Sequence, residues 1–330
     1  MNQQHDIRFQ QMQQWLSQFV TENDYQLTPA SSDASFRRYF RLSQQDGHSY
    51  IVMDAPPQQE DSETFIKVAT LLEQHGINVP HIYQQNLQQG YLLLTDLGSA
   101  PYLSQLTPDS ADKLYKQAID SLISLQLIPN ADHYLPAYDT KLLQDELQLF
   151  SDWFLQRHLQ LAPPAHLEPL FTLLTQNALS QPQVLVHRDF HSRNLMYQPH
   201  QPPGIIDFQD AVMGAISYDL VSLLRDVYIQ WPEQQQTQWI DYYIQQAKQH
   251  GLLSAAQAEM FPRWFDLMGL QRHLKILGIF CRLNYRDNKS NYMNDLALTL
   301  QYVYHVCQRY PELEQFHHYL LEQPEIVAII

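Results

Sequence analysis

The chain has 330 residues, 45% of them apolar, which is enough for one large domain or two lobes. A formal charge of −15 repels nucleic acid and anionic lipid at long range, and so excludes a broad surface for either. With Cys281 and Cys307 as the only cysteines, a disulfide framework and a cysteine-built metal centre are excluded, and a reducing compartment is expected.

The first twenty residues are too polar for a secretion signal. No run reaches the roughly 18 apolar residues that a membrane-spanning helix needs. A cytoplasmic monomer with no membrane partner is the expectation.

In chain order, a helix over about 5–21 precedes strands near 36–43 (FRRYFRLS) and 48–54 (HSYIVMD), joined by the turn-like QQDG. Residues 62–75 place apolar side chains at 65, 66, 68, 69, 71 and 72 between Ser62 and Gly76, the pattern of a capped amphipathic helix. A further hairpin ends near Thr95. Beyond Gly98 long helices are predicted over about 107–127, 139–159 and 165–178; a hairpin follows at 184–208, then helices from about 217 to the end. The expected fold class is α+β, with a small β-rich lobe over 1–96 and a large helical lobe over 97–330.

The stretch VLVHRDFHSRNLMY, residues 184–197, holds the spacing H-x-D-x-x-x-x-N in His187, Asp189 and Asn194. Past the turn QPHQPPG comes GIIDF, with Asp207. Phosphoryl transfer from ATP asks for an aspartate to accept the acceptor's hydroxyl proton and for hard oxygen ligands to hold magnesium on the phosphates. Asp189 fits the catalytic base, and Asn194 and Asp207 fit the metal. ATP and Mg2+ are the expected cofactors. His187 reads as a hydrogen-bonding residue that orders the loop, and His191 as either site-facing or structural. Asp210 is a candidate for the acceptor, for a second metal or for a backbone amide.

This spacing, with its IDF, resembles the protein-kinase-like superfamily, and within it the aminoglycoside and choline phosphotransferases, whose loop commonly reads H-x-D-x-H-x-x-N. His191 stands where protein kinases typically place lysine, which favours a small-molecule acceptor over a protein. Tyr218, Asp219 and Leu220 are similar to the family's Y-D-L, whose aspartate braces the loop. The resemblance implies a bilobal kinase fold, with YLLLTDLG as a hinge where backbone groups near Thr95 and Leu97 meet adenine.

Two family features are missing. No glycine precedes Gly47; in the place of a glycine-rich loop stands ASSDASFRRYF, where Ser32 and Ser35 are candidate phosphate contacts. SYIVMDAPP lacks the lysine expected on the third strand. Arg37, Arg38, Arg41 and Lys67 are the candidate replacements, with Arg38 preferred. These departures leave open a nucleotide-binding protein without catalysis. The pair SSDASFRRYFR and VMDAPP nevertheless looks like the cell-wall-recycling kinases that phosphorylate the anomeric hydroxyl of N-acetylmuramate and N-acetylglucosamine, which implies an amino-sugar substrate in peptidoglycan recycling. A kinase for another small alcohol, an aminoglycoside or a choline-like compound, is the alternative.

Residues 263–289 supply an independent hint about the acceptor. On a continuous helix Arg272, Lys275, Arg282, Arg286 and Lys289 fall within about a 100° arc. Such a stripe suits the lactyl carboxylate of N-acetylmuramate, with Arg272, Arg282 and Asn284 as acceptor contacts. A solvated face pairing with acidic neighbours is the plainer reading.

Overall fold

The computed structural model describes residues 6–21, 24–32 and 36–330, with the side chains of Ser31 and Ser32 left outside the description. Cα proximity divides the chain into two units, Met1–Ala100 with Met196–Gln209, and Pro101–Leu195 with Asp210–Ile330.

The first unit is built on a five-stranded antiparallel sheet of order β1-β2-β3-β5-β4, formed by β1 (Tyr25–Ser32), β2 (Arg38–Gln44), β3 (Ser49–Asp54), β4 (Ile82–Asn86) and β5 (Tyr91–Thr95). Its opening helix α1 (Ile7–Leu16) starts at Asp6, whose carboxylate accepts Phe9 N–H at 3.2 Å. One face of α1, with Met12, Trp15 and Leu16, packs on Phe40, Val52 and Leu93 of the sheet. Each such side chain removed from water contributes roughly 1.5–3 kcal/mol. The pairings Phe40 with Val52 and Val52 with Leu93 align these residues across three strands.

Strand β1 is not among the sequence expectations. Its sequence YQLTPASS has no apolar alternation and contains Pro29, which a sheet accepts at its edge; the register shifts between Pro29 and Ser31. Helix α2 (Ser62–Gln74) is capped by Asp61, which accepts Glu63 N–H and Thr64 N–H, and it buries Phe65, Val68 and Leu72. The short strand β8 (Gly204–Ile205) belongs to this unit.

The second unit is helical: α3 (Tyr102–Gln105), α4 (Ala111–Gln126), α5 (Thr140–Leu149), α6 (Leu167–Leu179), α7 (Tyr218–Leu224), α8 (Glu233–Gln249), α9 (Ala255–Asp287), α10 (Leu296–Cys307), α11 (Glu314–Glu322) and α12 (Pro324–Val327). Strands β6 (Gln183–Val186) and β9 (Val212–Ala215) pair antiparallel, and the two-residue β7 (Leu195–Met196) lies between them in the chain. A π-helical turn, Phe150–His158, continues α5.

Helix α9 is the spine. It begins with a Ser254/Gln257 capping box, runs past Asn284, and ends where Asn288 takes a left-handed φ of 55°. Its middle is buried nearly all round, and Leu270, Leu274, Leu277 and Cys281 share a core with Phe150 and Leu300. At Gly278 the α5 backbone comes so close that a Cβ would stand 2.3 Å from the Leu149 carbonyl carbon. Cys281 and Cys307 are both buried and unbonded, and burial pushes both thiols up to about 12. No helix among the described residues is long and apolar enough to cross a membrane.

Candidate active site

The loop that leaves β6 is held from beneath by Asp219, in the first turn of α7. This aspartate has no exposed surface, and its two oxygens accept His187 N–H at 2.6 Å and Arg188 N–H at 3.0 Å. Burial pushes its carboxyl up to about 7, against the pull of those two donors. His187 is buried and accepts Asp189 N–H on Nδ1 at 3.2 Å.

Arg188 takes φ +77°, in the left-handed region that a side chain rarely adopts. The next residue, Asp189, is half-buried, and its carbonyl accepts His191 N–H at 3.0 Å and Asn194 Nδ2 at 3.1 Å. That second bond fixes which end of the Asn194 amide is nitrogen, and therefore which end carries an oxygen fit to ligate a cation. Burial alone would raise the Asp189 carboxyl. Lys275 and Arg272 nevertheless hold it below the usual carboxylate range, so it is ionised at neutral pH and able to accept a proton.

His191 lies against Tyr228, ring centroids 5.4 Å apart, and its buried Nδ1 has no hydrogen-bond partner among the described residues. Burial lowers its pKa, which keeps the imidazole neutral. Arg193 covers the Tyr228 ring at 3.4 Å. The sequence reading missed Asp226. This buried carboxylate accepts Ser192 N–H at 3.0 Å, the Ser192 hydroxyl at 2.5 Å and Tyr228 N–H at 3.0 Å, a second anchor for the loop. Its only signal in the sequence was a position seven residues after Asp219, just past the end of α7 at Leu224.

The basic stripe does not form an exposed face. Arg272 and Lys275 are buried because α9 is enclosed there, while Arg282 and Asn284 are half-buried and Arg286 is exposed. Lys275 pairs with Glu146, and the Arg272 Nη1 is buried without a hydrogen-bond partner among the described residues. Asp210 is exposed, and its carbonyl accepts Arg188 Nη1 at 3.3 Å.

In the first unit, Asp207 follows β8 with φ +67° and accepts Gln209 Nε2 on Oδ1 at 2.8 Å, beside a buried Phe208 that packs on Phe65 at 4.9 Å. Arg38 is engaged by Asp54, Nε to Oδ2 at 2.9 Å, and by Asp6. Arg41 forms a fork on Asp96 at 2.7 and 3.1 Å, Arg37 pairs with Glu60, and Lys67 is exposed on α2. Thr95 closes β5, its hydroxyl oxygen accepting His81 N–H at 3.2 Å, and the Leu97 carbonyl accepts Gln198 Nε2 at 2.5 Å. Ser35 lies outside the described residues, as does the side chain of Ser32.

Among the described residues no three histidine, cysteine or acidic side chains gather into a metal site. The donors present are of the type magnesium takes. It is bound through one or two carboxylate or amide oxygens and completes its shell with substrate phosphates and water.

The model of the phosphotransferase enzyme family matches residues 26–258. The chain belongs to that family. This phosphotransferase is 44% identical, over 94% of its own length and 95% of the relative's, to the N-acetylmuramate/N-acetylglucosamine kinase of Pseudomonas putida. Solved structures give the same fold at low identity. The ethanolamine kinase of Plasmodium vivax superposes with a TM-score of 0.68 at 12% identity, covering 93% of this phosphotransferase and 89% of that chain. An aminoglycoside phosphotransferase bound to ADP gives 0.60 at 15%, covering 88% and 97%. The α+β, protein-kinase-like fold class read from the sequence is therefore correct.

Proposed function

We propose that this phosphotransferase transfers the γ-phosphoryl group of ATP to the anomeric hydroxyl of N-acetylmuramate or N-acetylglucosamine, in the cytoplasm, in the recycling of peptidoglycan sugars. The observation that carries the reading is the 44% identity spread over 95% of the Pseudomonas putida kinase. Asp189 orients the hydroxyl and takes its proton as the new P–O bond forms; ADP leaves, and the proton is later released to solvent. The ionised state of Asp189 supports that role.

Asn194 and Asp207 are the residues that would hold magnesium, which supplies charge neutralisation to the transferring phosphoryl group when bound. The backbone at Thr95 and Leu97, together with Ser32, Ser35 and Arg38, forms the nucleotide side of this reading. Arg272, Arg282, Asn284 and Asp210 form the acceptor side, where the buried and unpartnered Nη1 of Arg272 supports an anionic or hydroxyl-bearing ligand. Incubation of purified protein with ATP, magnesium and a panel of N-acetyl sugars, followed by phosphorus NMR, is expected to give a sugar 1-phosphate. Absence of any phosphorylated sugar overturns the assignment.

A further inference from the structure

One buried carboxylate ties the catalytic loop to two helices and takes no part in the chemistry itself. Glu146, in α5, is 6% exposed. Its Oε1 takes both the Arg188 guanidinium, from the loop, and the Lys275 ammonium, from α9, the second at 3.0 Å. Its Oε2 accepts the Tyr138 hydroxyl, and Lys275 also donates to the Tyr218 hydroxyl at 3.1 Å. Both oxygens of Glu146 are therefore filled, and all three strands of the tie are buried or nearly so.

Arg188 is the residue with the left-handed φ of +77°, a conformation that persists only where its surroundings over-determine it. Asp219 fixes this turn from the peptide side, through the N–H groups of residues 187 and 188. Glu146 fixes it from the side-chain side. The residue that follows the turn is Asp189, whose reach to a hydroxyl tolerates little displacement.

We propose that Glu146 is a positioning residue: by gripping Arg188 and Lys275 on a single oxygen, it locks the turn that aims the Asp189 carboxylate at the acceptor hydroxyl. This rests on the reading of Asp189 as the base. Two cations against one carboxylate leave the cluster with one surplus positive charge, next to the carboxylate of Asp189 in the chain.

Glu146→Gln alone would leave two buried cations facing a neutral amide and endanger folding. Glu146→Gln combined with Lys275→Met removes one anion and one cation together, so the cluster keeps its net charge and loses the clamp; because Lys275 also helps hold the Asp189 carboxyl down, kcat is read at the plateau of its pH profile, where Asp189 is ionised in either chain. In this double variant the melting temperature is expected to stay within a few degrees of the parent and both KM values within about threefold, while kcat falls about 100-fold, the loss expected when a reacting group is displaced by about 1 Å. Glu146→Asp, which keeps the charge on a shorter arm, is expected to recover part of that kcat. A folded double variant with kcat within about threefold of the parent overturns the proposal, as does a loss confined to KM.

If the double variant does not fold, Tyr138→Phe removes one donor from Glu146 Oε2 and leaves the ion pairs in place. Its kcat is expected to fall about threefold to tenfold at unchanged KM, and parental kcat overturns the proposal. Asp189→Ala separates the two readings. Full activity there overturns the base itself, whereas an inactive Asp189→Ala beside a normal double variant overturns only the role of Glu146.

Discussion

Asp54 in the first unit and Asp219 in the second both have no exposed surface, yet they are satisfied in opposite ways. Asp54 faces full charges, the Nε atoms of Arg8 at 3.0 Å and Arg38 at 2.9 Å. Asp219 is hydrogen-bonded instead by two backbone N–H groups. Two arginines that are 30% and 37% exposed can turn to water if their carboxylate is lost. Buried peptide groups cannot. A carboxylate that pairs with side chains holds a surface together, and one that pairs with peptides dictates a loop. Burial raises the Asp219 carboxyl to about 7, against the pull of its two N–H donors and of Arg272.

The largest consequence of that division is in rate. Asp189→Ala is expected to lower kcat by about 1000-fold with the melting temperature unchanged, since loss of a positioned proton acceptor costs roughly 10²–10⁴. Turnover at the parental rate would detach the loop's geometry from catalysis. Next comes pH. The folded-state pKa of Asp219, about 7, lies above its ordinary value of 3.8, so the folded chain binds the extra proton between those limits. Asp219 therefore contributes stability that is fully present below about pH 4 and is lost as pH rises through about 7, about 4 kcal/mol in all. Denaturant unfolding measured from pH 4 to 8 should show this slope in the parent chain and not in Asp219→Asn. An identical slope in both would mean that the N–H donors outweigh burial.

Asp226→Ala against Asp54→Ala puts the comparison most directly. Asp226→Ala strands two backbone N–H groups and the Ser192 hydroxyl, and should cost about 3 kcal/mol. Asp54→Ala leaves two part-exposed guanidinium groups, and about 1 kcal/mol is expected. Equal shifts in denaturation midpoint would erase the distinction between peptide-bound and side-chain-bound carboxylates. Gly278→Ala is comparable or smaller, about 2 kcal/mol, because its new methyl meets the backbone of Leu149 rather than a side chain that can swing away. An unchanged midpoint would mean that α9, the helix bearing Lys275, can slide against α5.

The candidate loop was legible because its motif is local. His187, Asp189 and Asn194 sit within eight residues, and the turn that presents them closes on itself, through Asn194 Nδ2 to the Asp189 carbonyl and the Asp189 N–H to His187 Nδ1. Asp219 was legible from its Tyr-Asp-Leu setting. Alternation and helical spacing placed most strands and helices, and Pro29 hid β1 because an edge strand needs neither alternation nor a donor at every residue.

The charges were not legible in the same way. Arg38, Arg41 and Lys275 look alike in sequence, each a cation near a motif, and helical spacing put Lys275 on a stripe with Arg272. Burial in the folded chain gave them different partners, Asp54, Asp96 and Glu146, from 16, 55 and 129 residues away in the chain. A carboxylate chooses its cation by distance and desolvation, and both are set by packing. The sequence by itself determined the α+β fold and the phosphotransferase family, because the patterning of the strands and helices and the short spacing of the loop motif are local. Only the tertiary structure decided which cation pairs with which carboxylate, because a buried ion pair is made between segments that the chain order does not bring together.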